Sequence, residues 1–237
     1  MESTGVTVLI TGANRGIGRE VARLLASRGC QVVVTARNPS TAEEAASAIR
    51  KETPGATVSA RSLDVDSDAS VAQAADRLEK EWGRLDVLIN NAGILLDWHD
   101  SILELPIERF QETWTTNALG PLRVTRAFLP ALRRSPSGRV INVSSAAGQL
   151  SAMRAWAPAY SVSKTALNAV TVQLAMALEA EEIAVNAISP GWVRTDMGGD
   201  AAPRSVTEGA AGIVELALDA PQSLTGAFLR DGERLEW

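Results

Sequence analysis

Tyr160 and Lys164 stand four residues apart in Tyr-Ser-Val-Ser-Lys, near the start of a long stretch with helical apolar periodicity. On a helix such positions share a face with Cβ atoms roughly 6 Å apart, so a phenol and an ammonium would point into one place. A cation there favours the phenolate, so the tyrosine pKa is expected to fall from about 10 toward neutrality. A phenol tuned in this way is a usable general acid or base. Two serines, Ser144 and Ser145, lie upstream, and the glycine-rich run Thr11-Gly12-Ala13-Asn14-Arg15-Gly16-Ile17-Gly18 lies near the start of the chain. The pair alone also fits the surface of an ordinary amphipathic helix, so the elements around it must decide.

Those elements alternate. Apolar runs at 6–10, 31–36, 58–61, 87–90, 140–143 and 184–188, with a weaker one at 227–229, read as short buried strands. Between them lie amphipathic or alanine-rich stretches at 16–28, 41–51, 68–82, 107–134, 158–179 and 207–218. Near-continuous apolar strands separated by helices imply a parallel sheet covered on both faces. The expected fold is therefore α/β: a single-domain, Rossmann-type doubly wound sheet of about seven strands, spanning 1–237. Ligands of such sheets bind beyond the carboxyl ends of the strands. The glycine run, Arg37, Asp64, Asn90 to Gly93, the two serines and Pro190-Gly191 all fall there.

The glycine run follows a strand and opens a helix, the context in which it can cradle a pyrophosphate. Gly12 allows the tight turn, while Gly16 and Gly18 permit close approach of backbone to ligand and of helix to sheet. The helix N-terminus then offers free N–H groups to the negative charge. The second strand ends in Thr35-Ala36-Arg37, where a fold selective for NAD usually carries an acid for the ribose 2′-hydroxyl. Arg37 can instead form a bidentate pair with a 2′-phosphate, with Arg15 as a second positive charge. The expected cofactor is NADPH rather than NADH.

Composition narrows the partners. The chain has 237 residues, 46% hydrophobic and 22% charged, which reads as soluble and globular. A net charge of −5 argues against nucleic acid, whose phosphates call for a basic face. The single cysteine, Cys30, forms no internal disulfide and no metal-ligand spacing, and reads as a small buried hydrophobe. No signal peptide or membrane span is evident, so the expected location is cytoplasmic.

Taken together, Thr11-Gly12-x3-Gly16-x-Gly18, Leu63-Asp64-Val65, Asn90-Asn91-Ala92-Gly93, Asn117, Ser145, Tyr160-x3-Lys164 and Pro190-Gly191 resemble the short-chain dehydrogenase/reductase family over nearly the whole chain. The resemblance implies a catalytic set of Asn117, Ser145, Tyr160 and Lys164. In that family the tyrosine exchanges a proton with the substrate oxygen, the serine hydrogen-bonds that oxygen, and the lysine lowers the tyrosine pKa and holds the nicotinamide ribose. The asparagine holds a water that links the lysine to a proton path. The resemblance likewise implies a cofactor turn of Gly12, Asn14, Arg15, Gly16, Ile17 and Gly18. Asp64 and Val65 would meet the adenine, Asn91, Ala92 and Gly93 would line the groove, and Pro190, Gly191, Val193 and Thr195 would hold the nicotinamide end. Ser145 is preferred to Ser144 because family members place the second serine of such a pair in the site. Its separation from Tyr160 is a few residues longer than usual, with the extra length in 146–159.

The segment from Ser189 to Gly199 and the ending Leu224-Thr-Gly-Ala-Phe-Leu-Arg-Asp-Gly look like the carbonyl reductase subgroup. This implies reduction of an apolar aldehyde or ketone. An alcohol dehydrogenase or biosynthetic ketoreductase of the same family is the alternative, and a non-catalytic NADP(H) sensor the remote one. A homo-oligomer is implied by the long helices. The small substrate-side segment at about 192–207 suggests an open pocket, with Trp156 and Trp192 as candidate walls. Trp114 reads as core or subunit interface, Trp82 as a helix end packed inward, and His99 as a surface residue of a loop.

Overall fold

The computed structural model describes residues 5–237. Strands β1 (Thr7–Ile10), β2 (Gln31–Ala36), β3 (Val58–Ser62), β4 (Val87–Asn90), β5 (Arg139–Val143), β6 (Ala184–Ile188), β7 (Phe228–Arg230) and β8 (Glu233–Arg234) form one sheet. Their order is β3-β2-β1-β4-β5-β6-β7-β8. Helices α1 (Gly16–Ser27), α2 (Pro39–Glu52), α3 (Asp68–Trp82), α4 (Ile107–Trp114), α5 (Gly120–Leu132), α6 (Pro158–Leu178) and α7 (Val206–Leu218) surround it.

Alternation along the strands sends side chains to opposite faces and so builds two cores. Val8 and Ile10 of β1 join Val32 and Val34 of β2 under apolar residues of α1, α2 and α7, among them Leu25, Ile49 and Ile213. Leu9, Val33, Leu88 and Val140 face the other way, against Leu78 of α3, Phe128 of α5 and Leu178 of α6. Both strand faces are apolar because both are covered, which is why the strands read as unbroken hydrophobic runs. Cys30 is buried as expected, and burial pushes its thiol up to about 11, which leaves it a small hydrophobe.

The order reverses between β1 and β4, and this switch opens the crevice that the rest of the site occupies. The two strand ends come so close that a Cβ on Gly12 would lie 2.9 Å from the Ala92 Cα, and Gly12 also has φ +61°. A Cβ on Gly18 would run into the Asn91 side-chain amide. That amide donates to the carbonyls of Thr11 (2.9 Å) and Gly12 (3.0 Å), pinning the glycine turn to the loop after β4.

Two elements depart from the sequence expectation. The single helix expected over 107–134 is divided by a five-residue π-helical stretch, Thr115–Leu119, in which Gly120 N–H donates to the Thr115 carbonyl. Pro121 explains the break, since it has no N–H to close an α-helical bond onto Asn117. The sheet also gains an eighth strand, and it is antiparallel: Arg230 pairs with Glu233 across Asp231-Gly232. Both turn residues have positive φ, +50° and +80°, as a two-residue type I′ hairpin requires.

Candidate active site

A cavity of about 450 Å³ runs over the carboxyl ends of β1, β2 and β4. Its lining includes Gly12, Asn14, Arg15, Gly16, Ile17, Gly18, Arg37, Asp64, Val65, Asn91, Ala92, Gly93, Tyr160, Lys164 and Thr195. Residues far apart in the chain thus meet on one groove. Pro190 does not line it, and Gly191 and Val193 face a second cavity instead. The reason is the turn at Gly191, which has φ +77° and packs so tightly that a Cβ would lie 2.7 Å from the Arg204 Cδ. The two cations at the phosphate end differ. Arg15 bonds Asp196 at 2.6 Å in an exposed pair, whereas Arg37 has no acidic partner among the described residues. An exposed pair of that kind is weak and easily opened.

Tyr160 and Lys164 lie on the first two turns of α6, both buried. Lys164 Nζ sits 5.6 Å from the Tyr160 ring centroid and donates to the Val143 carbonyl at the end of β5 (2.8 Å). Ser145 follows β5 directly, and its hydroxyl lies near enough to the Tyr160 phenol to act on its ionisation. Ser144 points the other way, donating to Asn168 Oδ1 at 2.6 Å inside the protein. The segment that lengthens the Ser145–Tyr160 separation folds as two single 3-10 turns, Ala146–Gly148 and Leu150–Ala152.

Burial dominates the electrostatics here. It pushes the Tyr160 phenol above its ordinary value, an effect that the nearby Ser145 hydroxyl only partly offsets. The expected fall toward neutrality is thus not met. The same low-polarity surroundings disfavour the Lys164 ammonium and lower its pKa to about 8. Near neutral pH the phenol therefore holds its proton while the amine remains largely charged.

Asn117 lies in the π-helical stretch and lines neither cavity. Its amide donates to the Ile94 carbonyl (2.8 Å) and Ser163 Oγ (3.0 Å), and its Oδ1 accepts from Ile94 N–H (2.8 Å). All of its side-chain groups thus join the loop after β4 to α6. A Cβ on Gly93 would come within 3.2 Å of Asn117 Oδ1, so the groove floor passes directly over this joint.

The family model described as short chain dehydrogenase matches residues 6–205. The chain belongs to the short-chain dehydrogenase family. Over 96% of this chain and 95% of the relative it is 36% identical to the short-chain dehydrogenase anuI of Penicillium roqueforti. It is 34% identical to (+)-neomenthol dehydrogenase of Arabidopsis thaliana, over 92% and 93% of the two chains. The crystal structure of NADPH-bound carbonyl reductase from chicken fatty liver superposes with a TM-score of 0.90 at 31% identity, covering 99% of this chain and 100% of that one.

Beside the groove, this short-chain dehydrogenase has a second cavity of about 500 Å³. Ser145, Trp156 and Trp192 line it, with Leu95, Trp98, Arg154, Met197 and Arg230. Trp156 stands 5.1 Å from Trp98 and 6.4 Å from the Tyr160 ring, so aromatic faces lead toward the phenol. The two cavities share Ile17, Thr195 and Met197. Sequence reasoning missed Trp98, Arg154, Arg230 and the buried Asp97. Asp97 and Trp98 adjoin His99, which is exposed as expected. Trp82 packs against the core at the end of α3, while Trp114 is 39% exposed on α4 and outside both cores. Among the described residues no helix is long and apolar enough to cross a membrane.

The depressed Lys164 value has a consequence for stability. Between about pH 8 and 10.5 the unfolded chain keeps the lysine proton and the folded one does not, so this group makes stability rise with pH across that window. Lys164→Met removes the contribution. Its urea midpoint is expected to rise less steeply over the window than that of the wild type, and equal slopes would contradict the assignment.

Proposed function

We propose that the protein is a reductase that uses NADPH to reduce the carbonyl group of an apolar aldehyde or ketone. The observation that carries this reading is geometric: Tyr160 and Lys164 line the groove on α6 while Ser145 lines the adjoining cavity, so a phenol that keeps its proton stands where the two spaces meet. Support for NADPH comes from Arg37, a guanidinium without an acidic partner among the described residues at the end of β2, and from the NADPH-bound chicken carbonyl reductase.

The groove fits such a cofactor. Its glycine turn leaves no room for a Cβ at Gly12 or Gly18, so backbone N–H groups at the start of α1 are uncovered for a pyrophosphate. Asp64 and Val65 would flank the adenine, with Asn91, Ala92 and Gly93 along the floor and Thr195 near the nicotinamide. When bound, the reduced nicotinamide supplies the hydride. Ser145 and Tyr160 hold the substrate oxygen from the protein side, and Tyr160 O–H gives it a proton as negative charge develops. Lys164, charged and fixed to the Val143 carbonyl, stabilises the phenolate left behind. Asn117 spends its side chain on Ile94 and Ser163, so its part in proton transfer falls to its main-chain carbonyl, which Pro121 leaves without an α-helical donor. The segment 192–207 forms the substrate side of the site.

The test is loss of reduced-nicotinamide absorbance against aromatic and aliphatic aldehydes, ketones and quinones, with NADPH and NADH in parallel. Substrate-dependent oxidation of NADPH is expected. Tyr160→Phe should lower turnover by about 10²-fold or more, the usual scale of a proton donor, with NADPH affinity nearly intact. Wild-type turnover in that variant would overturn the proton assignment.

Arg37→Glu is expected to move the NADPH:NADH preference toward NADH by at least about tenfold, since a charge-assisted hydrogen bond contributes about 1.5–3 kcal/mol. An unchanged ratio would place recognition of the 2′-phosphate elsewhere.

A further inference from the structure

We propose that the second cavity takes a carbonyl compound whose apolar body carries a carboxylate. The inference deepens the reductase reading, on which it rests for the reaction though not for binding. The chain carries a net charge of −5, yet the charged residues lining this cavity are two arginines, Arg154 and Arg230, and no acid. The carboxylate nearest in sequence to Arg230 is Asp231, and it gives its two oxygens to Arg204, at 2.6 and 2.7 Å. Among the described residues neither Arg154 nor Arg230 has an ion-pair partner.

Apart from the hydroxyls of Ser145, Ser189 and Thr195, the remaining wall is mainly aromatic and aliphatic, with the tilted Trp98–Trp156 pair leading to Tyr160. An apolar aryl ketone can stack on the face of this indole pair, and a guanidinium recognises a carboxylate bidentately. The probes are 4-benzoylbenzoate and its methyl ester, which share a skeleton and differ in charge. Calorimetric titration with NADPH present and absent should show the acid binding about tenfold or more tightly than the ester. That advantage should shrink at high salt and in Arg154→Gln or Arg230→Gln. An ester that binds as tightly as the acid, or an advantage unchanged in both variants, would overturn the proposal. Turnover of the ester is measured in parallel, and its absence counts against the reductase reading alone.

A separate observation assigns Asp97 as a positioning residue for Tyr160. Asp97 is fully buried, and its Oδ2 accepts from the Ala159 N–H (2.6 Å) and more weakly from the Tyr160 N–H (3.4 Å). The residue at the N-cap of α6, Ala157, has φ +43° and no side-chain acceptor, so the first turn is capped from 60 residues away. Asp97 is flanked by the segment that puts Leu95 and Trp98 on the second cavity, so one carboxylate ties the substrate wall to the turn that carries the phenol. Its other oxygen, Oδ1, has no protein partner among the described residues.

The test compares Asp97→Asn, which keeps an acceptor oxygen, with Asp97→Ala and Asp97→Glu. Amide exchange at Ala159 and Tyr160 should accelerate in the Ala and Glu variants and stay near wild type in the Asn variant. Turnover should follow: about tenfold lower kcat in Ala and Glu with NADPH affinity kept, and recovery to within about threefold in Asn. Wild-type exchange and kcat in Asp97→Glu would overturn the assignment, and this comparison stands even if Asp97→Ala does not fold. The exchange measurement needs no turnover, so it stays separate from the reductase reading.

Discussion

The site depends on how closely α6 approaches the end of β5. Gly148 lies against the first turns of α6, where a Cβ would come within 2.7 Å of the Lys164 carbonyl carbon. Its own carbonyl accepts from Thr165 Oγ1 (3.0 Å) and Asn168 Nδ2 (3.2 Å), while Ser144 donates to Asn168 Oδ1. Lys164 completes the joint by reaching the Val143 carbonyl. Residues 164, 165 and 168 face one side of the helix, so a single face holds the whole segment after β5. Ser145 meets Tyr160 only because this joint is made. The polar groups involved are buried, and each left without its partner would cost about 1–3 kcal/mol, so the register between helix and strand is strongly specified.

The same closeness sets the chemistry. Packing that excludes water raises a phenol and lowers an ammonium, and both shifts occur here. A simple pairwise argument from the i, i+4 spacing considers the attraction between Lys164 and a phenolate but omits the cost of burying either charge. At 5.6 Å from the ring centroid, with its Nζ bonded to a carbonyl, Lys164 does not overcome that cost for its neighbour. The resting state is a protonated phenol beside a charged amine. A charge on Lys164 would favour a phenolate once one formed, and leaves the protonated phenol little changed.

Much of this was legible in the chain. Strands buried on both faces read as apolar runs, and each strand end carries a residue type that has meaning only there: glycines after β1, Arg37 after β2, Asn91 to Gly93 after β4, serines after β5. Choosing Ser145 over Ser144 rested on family resemblance, and the structure supplies the physical ground in the hydroxyl that Ser144 spends on Asn168. Periodicity could not register the π-helical stretch, because a one-residue shift of hydrogen bonds over only Thr115–Leu119 barely disturbs the pattern of the helices on either side. Pro121 was the visible sign. Asp231-Gly232 was likewise a hairpin signal, hidden by the shortness of β8. Asp97 had no local signal at all. It caps a helix that begins about 60 residues later, and pairings over that range are created by the fold.

The wall between the two cavities shows why a short substrate-side segment need not be a loose one. In 191–198 the backbone turns at Gly191, a Cβ on Gly198 would strike the Val193 carbonyl oxygen, and a Cβ on Gly209 of α7 would press on the Val193 side chain. Trp192 Nε1 donates to the Gly198 carbonyl (2.8 Å), and Arg194 N–H donates to the Arg204 carbonyl (2.9 Å), so the segment is closed on itself. These bonds hold the segment's shape, while the Arg204 pair with Asp231 and the packing of Val193 on Gly209 tie it to the body of the fold. The dimensions of the second cavity on this side are therefore set by backbone packing around Val193, and its character by the indoles and arginines among its lining side chains. An apolar wall with a few fixed polar groups orients a ligand by exclusion along most of its length and by recognition at its ends. The carbonyl would then lie at one end, near Ser145 and Tyr160. The other end is free to differ without disturbing the joint between α6 and β5.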